Sequence, residues 1–408
     1  METNDKITKI PSGWSQAKLG RVSKIYDGTH QTPNYVERGV PFYSVEHVTA
    51  NDFSHTKYVS EDVFVRETER VRIEKGDILM TRIGDVGTAR HIDWDVRASF
   101  YVSLALIKCK EDVNSRFVSY LINSHNFQRE LWQKTIHVAF PNKINLRDIG
   151  QCRLLLPPLL EQDRIATVLG TWDRAVQNLK REIALKKIVA EKVINELLSG
   201  KKRLSNFSTA WNTVEIGDVS KQVSIKNVNG DSLIVLSCTK YSGLVKSLEY
   251  FGRQVFGENL STYKVIKRNQ FAYATNHIEE GSLGYQDLEE TALISPMYTV
   301  FQTNEDIDDY FLYSLLKTPK MIFLYQSNMS GSIARRGGLR WNTFSTLPIT
   351  IPTLEEQRAI GTVIKTTRDE INLLERKLYL LERQRKSLLD NLVTGKIRTP
   401  ENLAVHQL

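Results

Sequence analysis

The sequence predicts an α+β fold: two globular α/β domains separated by two long antiparallel coiled-coil helices, with a pseudo-twofold internal repeat. Three observations carry this. Pro158-Leu159-Leu160-Glu161-Gln162-Asp163-Arg164-Ile165 returns as Thr353-Leu354-Glu355-Glu356-Gln357-Arg358-Ala359-Ile360, 195 positions later, and the offset holds without a gap to Leu197, Gly200, Lys201 and Arg203 against Leu392, Gly395, Lys396 and Arg398. Both copies step apolar residues by four and three alternately, which is the 3.5-residue period of a coiled coil. Ahead of each copy the chain lays out the same order of strand-like runs followed by a helical stretch.

The repeated segments divide the chain into 1–156 (first globe), 157–203 (first long helix), 204–347 (second globe), 348–400 (second long helix) and a tail, 401–408. The first seam runs through Ile165, Leu169, Trp172, Val176, Leu179 and Ile183, and continues over Lys186, Ala190, Val193 and Leu197. The second runs through Ile360, Ile364, Thr367, Ile371, Leu374, Leu378 and Leu381, and on over Arg385, Leu388 and Leu392. A helix from 159 to 199 is on the order of 60 Å long at 1.5 Å per residue. Its exposed stripe needs a partner, and the other copy of the stripe is the natural one. Lys186, Thr367 and Arg385 interrupt the stripe and are read as register or docking features.

In the first globe, Trp14, Leu19, Gly20 and Val22 open an apolar stretch, and residues 27–33 form a turn-rich loop. Residues 40–48, 59–65, 77–82 and 101–108 read as strands, 84–87 as a glycine loop, 115–132 as helical and 137–145 as a polar loop. The second globe restarts at Trp211, Ile216, Gly217 and Val219. Strand-like runs follow at 233–238, 254–256, 270–274 and 297–301, then a helical stretch at 310–325 and a loop at 330–338. The helices agree in sequence and the globes agree only in plan. The helices therefore do one job twice, and the globes do related but different jobs.

Composition sets the outer limits. The 408 residues are 41% hydrophobic and 25% charged with a net charge of +8, an ordinary globular composition whose mild basic excess permits nucleic-acid binding without requiring it. Cys109, Cys152 and Cys238 are widely spaced and predict buried free thiols rather than disulfides or a zinc site. The polar start and the lack of a long apolar run predict a cytoplasmic chain.

Catalytic signatures are missing. The nearest string to the Asn-Pro-Pro-Tyr of methyltransferases is Ser295-Pro296-Met297-Tyr298, which lacks the amide. Gly200-Lys201 and Gly395-Lys396 lack the upstream glycine of a phosphate loop, no His-Glu-x-x-His string occurs, and Asp77 and Asp85 are isolated carboxylates. No catalytic or metal-ligating residue is assigned. The loops fit binding better. Thr29, His30 and Gln31, Arg82 and Asp85, and His137, Asn142 and Lys143 supply the donors and acceptors that read base edges. In the second globe the corresponding set is Thr239, Lys240 and Tyr241, Asn276 and His277 with Glu279 beside them, and Ser332, Arg335, Arg336 and Arg340.

The repeated Leu-x-Glu-Gln string, the openings Gly13-Trp14 to Leu19-Gly20 and Trp211 to Ile216-Gly217, the loop Asp27-Gly28-Thr29-His30-Gln31-Thr32-Pro33, and the helix ends Ser199-Gly200-Lys201 and Thr394-Gly395-Lys396 resemble the specificity (S) subunit of type I restriction-modification systems. The resemblance covers the whole length. It implies that each globe is a target recognition domain reading one half of a split double-stranded DNA target. It implies that the paired helices set the spacing and dock two modification (methyltransferase) subunits, and that restriction (nuclease/translocase) subunits join them. It also implies a non-catalytic chain, with S-adenosylmethionine, ATP and magnesium held by the partner subunits. Thr353 stands where the family's proline is expected, with Pro352 one place earlier. The competing reading from the residues is a coiled-coil protein-binding scaffold without DNA specificity.

Overall fold

A computed structural model describes residues 10–138, 140–329 and 338–405. It divides into two compact units, Met1–Lys180 with Arg376–Leu408, and Arg181–Glu375. Each unit holds one globe and one half of each long helix, Leu159–Leu198 and Leu354–Val393.

Both helices follow the expected seam. Ile165, Leu169, Val176, Leu179, Ile183, Ile360 and Ile364 are buried, while Trp172, Ile371, Leu374, Leu378 and Leu381 are half-buried between exposed neighbours. Ion pairs fix the direction. In the first unit Lys180 meets Glu382 at 2.8 Å and Asp173 meets Arg385 at 2.8 Å. In the second, Lys187 meets Glu375 at 2.6 Å and Lys186 pairs with Glu370. In the first unit the first-helix partner advances from Asp173 to Lys180 as the other falls from Arg385 to Glu382, and in the second Lys187 pairs with Glu375 while Arg203, just past the helix end, pairs with Glu356, so the segments run antiparallel. Two of the seam's polar interruptions, Lys186 and Arg385, are thus register pins; Thr367 turns back to the Val363 carbonyl at 2.8 Å. Both helices end at a glycine with φ near +70°, Gly200 (+69°) and Gly395 (+68°), the left-handed cap that residues with a Cβ rarely adopt.

The first globe is built on an antiparallel sheet ordered Ser23–Asp27, Leu104–Cys109, Ile78–Thr81, Ala89–His91. Strand Leu104–Cys109 is buried on both faces, and its alternation splits the core. Ala105 and Ile107 pack with helices Ser115–Ile122 and His125–Lys134 and the long-helix residues Ile165, Leu169 and Leu392, whereas Leu104 and Leu106 pack with Val48, Ile73 and Phe100. A second sheet runs Tyr35–Val36, Lys57–Val59, Val40–Tyr43, Ser99–Phe100. Ser15–Lys18 pairs with Arg153–Leu156 in a short ribbon at the foot of the first long helix.

The second globe repeats the plan. Ser220–Val223, Tyr298–Thr303, Phe271–Ala274 and Leu283–Tyr285 form its antiparallel sheet, and Asn212–Glu215 pairs with Pro348–Ile351 as the ribbon. Phe271, Tyr273 and Phe301 face helices Asp309–Leu316 and Pro319–Asn328, while Ala272 and Val300 face a five-stranded sheet containing Lys264–Lys267 and Thr291–Ile294.

Three expected strands differ. The run 40–48 ends as a strand at Tyr43, because Ser44 and His47 form a capping box that starts helix Val45–Ala50. The run 59–65 turns at Ser60 into helix Glu61–Glu67, whose first turn carries Glu61 and Asp62 against the positive helix end. Residues 254–256 belong to no strand; the nearby strand is Lys264–Lys267, where lysines bracket Val265 and Ile266. The three cysteines are free, and burial pushes each thiol up to about 12. Among the described residues no helix is long and apolar enough to cross a membrane.

Candidate nucleic-acid interface

In the first unit three loops are tied to one another at one end of the main sheet. Gly28 must be glycine, because a Cβ there would lie 2.0 Å from the Phe100 carbonyl oxygen. That close approach lets the Thr29 amide donate to Phe100 (3.0 Å) and the Val102 amide donate to Thr29 (2.9 Å). Thr29 is itself buried and its hydroxyl donates to the Gln31 carbonyl, leaving His30 and Gln31 exposed. Asp27 anchors the turn, accepting from His30 at 2.9 Å and Arg70 at 2.6 Å. Burial opposes its charge, but these bonds hold its carboxyl below the usual range.

Arg82 is half-buried and joins the remaining loops, donating from Nη1 to the Val102 carbonyl (2.7 Å) and from Nε to the Ile144 carbonyl (3.2 Å). Asp85 accepts from the hydroxyls of Thr81 (2.9 Å) and Thr88 (2.6 Å), closing the 84–87 turn. The Gly84 amide donates to Asn142, and Lys143 bridges both Ile83 and Ile136. The His137 ring lies tilted against Trp132 with centroids 4.0 Å apart, its Nε2 meeting the Trp132 carbonyl at 3.0 Å. Exposed Lys143, half-exposed Asn142 and exposed His137 are therefore presented beside the Gly84 turn. Thr29, Arg82 and Asp85 have their polar atoms engaged within the fold, and Asp77 is likewise held by Lys108 at 2.7 Å and the Glu74 amide.

The second unit brings together two of the expected loops and the end of a third. Thr239 closes its hairpin, its hydroxyl donating to Gly243 and accepting from the Ser242 amide; Tyr241 is exposed, with the Lys240 ammonium 5.3 Å from its ring centroid. Gly281, which ends the 276–280 turn, lies against the Lys240 carbonyl. Asn276 and His277 are exposed, and the Leu339 amide donates to the Thr275 carbonyl, setting exposed Arg340 next to them. Ser332, Arg335 and Arg336 lie outside the described residues. One ligand atom each of His277, Glu279 and Glu280 falls within a 4.8 Å cluster, of a kind exposed acidic turns commonly form without an ion.

The repeated Glu-Gln string has a structural role that residue-by-residue reading missed. Glu161, buried, takes two bonds from the Arg398 guanidinium (2.5 and 2.7 Å) and one from Trp14 Nε1 (3.1 Å). Glu356, buried, takes two from Arg203 (both 2.6 Å). In both units the arginine follows the end of one long helix, the glutamate begins the other, and a tryptophan ring lies 5.6 Å from the guanidinium, Trp14 or Trp211. The glutamines hold the globes. Gln162 accepts from the Asn114 amide (2.9 Å) and Gln357 from the Asp308 amide (2.8 Å), and Asn114 and Asp308 are the N-caps of the first buried helix of each globe. Equal spacing in the two copies was the available signal.

Comparison with known proteins places this arrangement. A family model described as the type I restriction modification DNA specificity domain matches residues 11–187. Two proteins of Methanocaldococcus jannaschii align along the chain. The one named as the type I restriction enzyme MjaX specificity subunit is 23% identical, covering 96% of each chain. The MjaVIII specificity subunit is 21% identical, covering 96% of this chain and 94% of the relative. Among solved structures, the type I system S subunit of M. genitalium superposes with a TM-score of 0.58 at 13% identity, covering 96% of this chain and 98% of that one. The HsdS subunit of Thermoanaerobacter tengcongensis superposes with 0.51 at 18% identity, covering 97% and 100%. At such identities the superpositions show a shared fold.

Proposed function

Because this chain resembles, over nearly its whole length, the specificity subunits of type I restriction-modification systems, we propose that it is the DNA sequence-recognition subunit of such a complex. Each globe reads one half of a bipartite target. The long helices set the spacing between the halves and dock two modification subunits, to which restriction subunits add. The chain performs no catalysis; S-adenosylmethionine, ATP and magnesium belong to its partners.

One observation carries the reading: the Glu-Arg anchor beside a tryptophan ring and the glutamine clasp recur in both units, while the exposed loop residues differ. A protein that only scaffolded partners would have no use for two globes seated identically and faced differently. In the first globe Gln31, His137, Asn142 and Lys143 are the base- and phosphate-facing groups, and Thr29, Arg82 and Asp85 hold the loops that carry them. In the second, Lys240, Tyr241, Asn276, His277 and Arg340, with Ser332, Arg335 and Arg336, take that role. Replacing residues 1–156 by the matching domain of another such protein and sequencing methylated host DNA is expected to change one half of the methylated sequence. A change in both halves, or in neither, would sink the reading.

A further inference from the structure

The junction between the long-helix pair and the first buried helix of each globe is built differently in the two units. In the first unit it is closed. Asp173 on the first long helix accepts from the Tyr120 hydroxyl (2.7 Å) and from Arg385 Nε (2.8 Å), and the Arg385 guanidinium lies 5.7 Å from the Tyr120 ring centroid. Six residues after the N-cap Asn114 stands Tyr120; six after the N-cap Asp308 stands Ser314. The 195-residue offset puts Arg368 in place of Asp173 and Ala190 in place of Arg385. Tyrosine, carboxylate and arginine have thus become serine, arginine and alanine.

The consequence is a cavity of about 330 Å³ at this junction in the second unit, walled by Ala190, Ile194, Leu198 and Ile371. Arg368 Nη1 donates to the hydroxyls of Ser314 (3.2 Å) and Tyr310 (3.3 Å), and among the described residues it forms no ion pair with a carboxylate. The other charged groups on the cleft are Lys187, Lys317 and Glu191. Lys187 is paired with Glu375, whereas Lys317 donates only to the carbonyls of Lys240 and Leu283. Thr318 and Pro319, at the N-terminal end of the ten-residue helix Pro319–Asn328, complete the wall and add the positive end of its dipole. Arg368, with hydroxyl and ring neighbours but no carboxylate, a helix N-terminus and apolar walls, with Glu191 on the exposed rim, describe a seat for an anion on a short aliphatic stem.

We propose that this cleft binds the carboxylate of an aspartate or glutamate side chain carried by a partner protein, Arg368 being its ion-pairing residue. The same junction in the first unit supports this choice of ligand, since its cation already holds an aspartate with a hydroxyl beside it. The cleft opens where Lys187 and Glu191 are exposed, so an approaching protein surface reaches it from the solvent side of the helix. The two junctions are then unequal seats: the first filled from within, the second filled from outside.

The test is a titration of the full chain with N-acetyl-aspartate amide, read at the arginine Nε–H resonance that disappears in Arg368→Gln. Saturation is expected in the millimolar range, the affinity of a single small contact of about 4 kcal/mol, with no response to N-acetyl-asparagine amide. Ala190→Glu, which places a carboxylate inside the cleft, is expected to weaken the titration at least tenfold and to raise the melting midpoint. An equal response to the asparagine amide, or none to the aspartate amide, would overturn the site. Tighter binding of methyl phosphate would overturn the carboxylate assignment. Binding of free succinate a hundredfold tighter than the capped aspartate would overturn the protein-borne source. None of these readouts uses DNA, so the outcome is independent of the proposed recognition role.

Discussion

The two units share their anchors and differ just beyond them. Glu161 with Arg398 and Glu356 with Arg203 are the same contact made twice, each glutamate nearly inaccessible and each arginine following the opposite helix. A short distance along the same helices, the first unit's Asp173 with Arg385 corresponds by the repeat to the second unit's Arg368 with Ala190, where the charge has reversed and the partner has gone. The lesson concerns what a repeat preserves. Contacts that fix the globe on the helix pair must satisfy buried charge in both copies, because an unpaired buried carboxylate is costly. Contacts nearer solvent are free to diverge and so to acquire separate uses.

Removing the shared anchor should have the largest effect. Glu161→Ala and Glu356→Ala are each expected to destabilise their own unit by about 2 kcal/mol, between the values for exposed and buried pairs because the arginines are part-exposed. Amide exchange in Ser115–Ile122 and Asp309–Leu316 reads the two units separately. Acceleration in only one of the two variants would break the equivalence of the anchors.

The tryptophans sharpen the comparison at about half that size. Trp14 Nε1 donates to Glu161, whereas Trp211 Nε1 is buried with no partner. Trp14→Phe should cost about 1 kcal/mol more than Trp211→Phe, the net worth of the lost bond. Equal costs by urea denaturation would show that Glu161 gains nothing from the indole.

The effect smallest at neutral pH is an acid response confined to the first unit. Burial, and then the neighbouring Arg116, lower His91 to about 4; its Nε2 meets Ser115 at 3.1 Å and its Nδ1 has no partner. Between pH 6.5 and 4 the unfolded chain therefore binds a proton at this residue that the folded chain does not. Stability from this group is complete above pH 6.5 and is lost as pH falls through that window. The only histidine of the second unit is the exposed His277. Protection of the Ala89–His91 amides, taken relative to their intrinsic exchange rates at each pH, should fall on acidification, and His91→Gln should flatten the response; an unchanged response in the variant would assign it elsewhere.

The long helices were legible because their period is a local property. A seam of Ile165, Leu169, Val176 and Leu179 has one way to be buried, and a gapless repeat names its partner. The strands were less legible. Ser44 converts one expected strand into a helix start through its capping box with His47, and the acidic turn Glu61-Asp62 after Ser60 starts another helix, each competing with propensity over a span too short for periodicity to decide. Of the interface, the loops were found by their glycines and polar residues, but the division of labour within them was not. Arg82 looks like a base-reading arginine in sequence, and only the positions of Val102 and Ile144 show its guanidinium holding two carbonyls. Arg70, which pins Asp27 from 43 residues away, carried no signal at all.

What the sequence determined by itself is the repeat: two helices of one register, two globes of one plan, and a matched Glu-Gln at each helix start. Each is written in spacings along the chain, and spacing survives without coordinates. Tertiary structure alone decided which arginine meets which glutamate, that Gln162 and Gln357 clasp the N-caps of the globes, and that Arg368 faces a space where its counterpart faces a partner. Those facts depend on residues 48 to 237 positions apart meeting across packed helices, and nothing local encodes the distance between them.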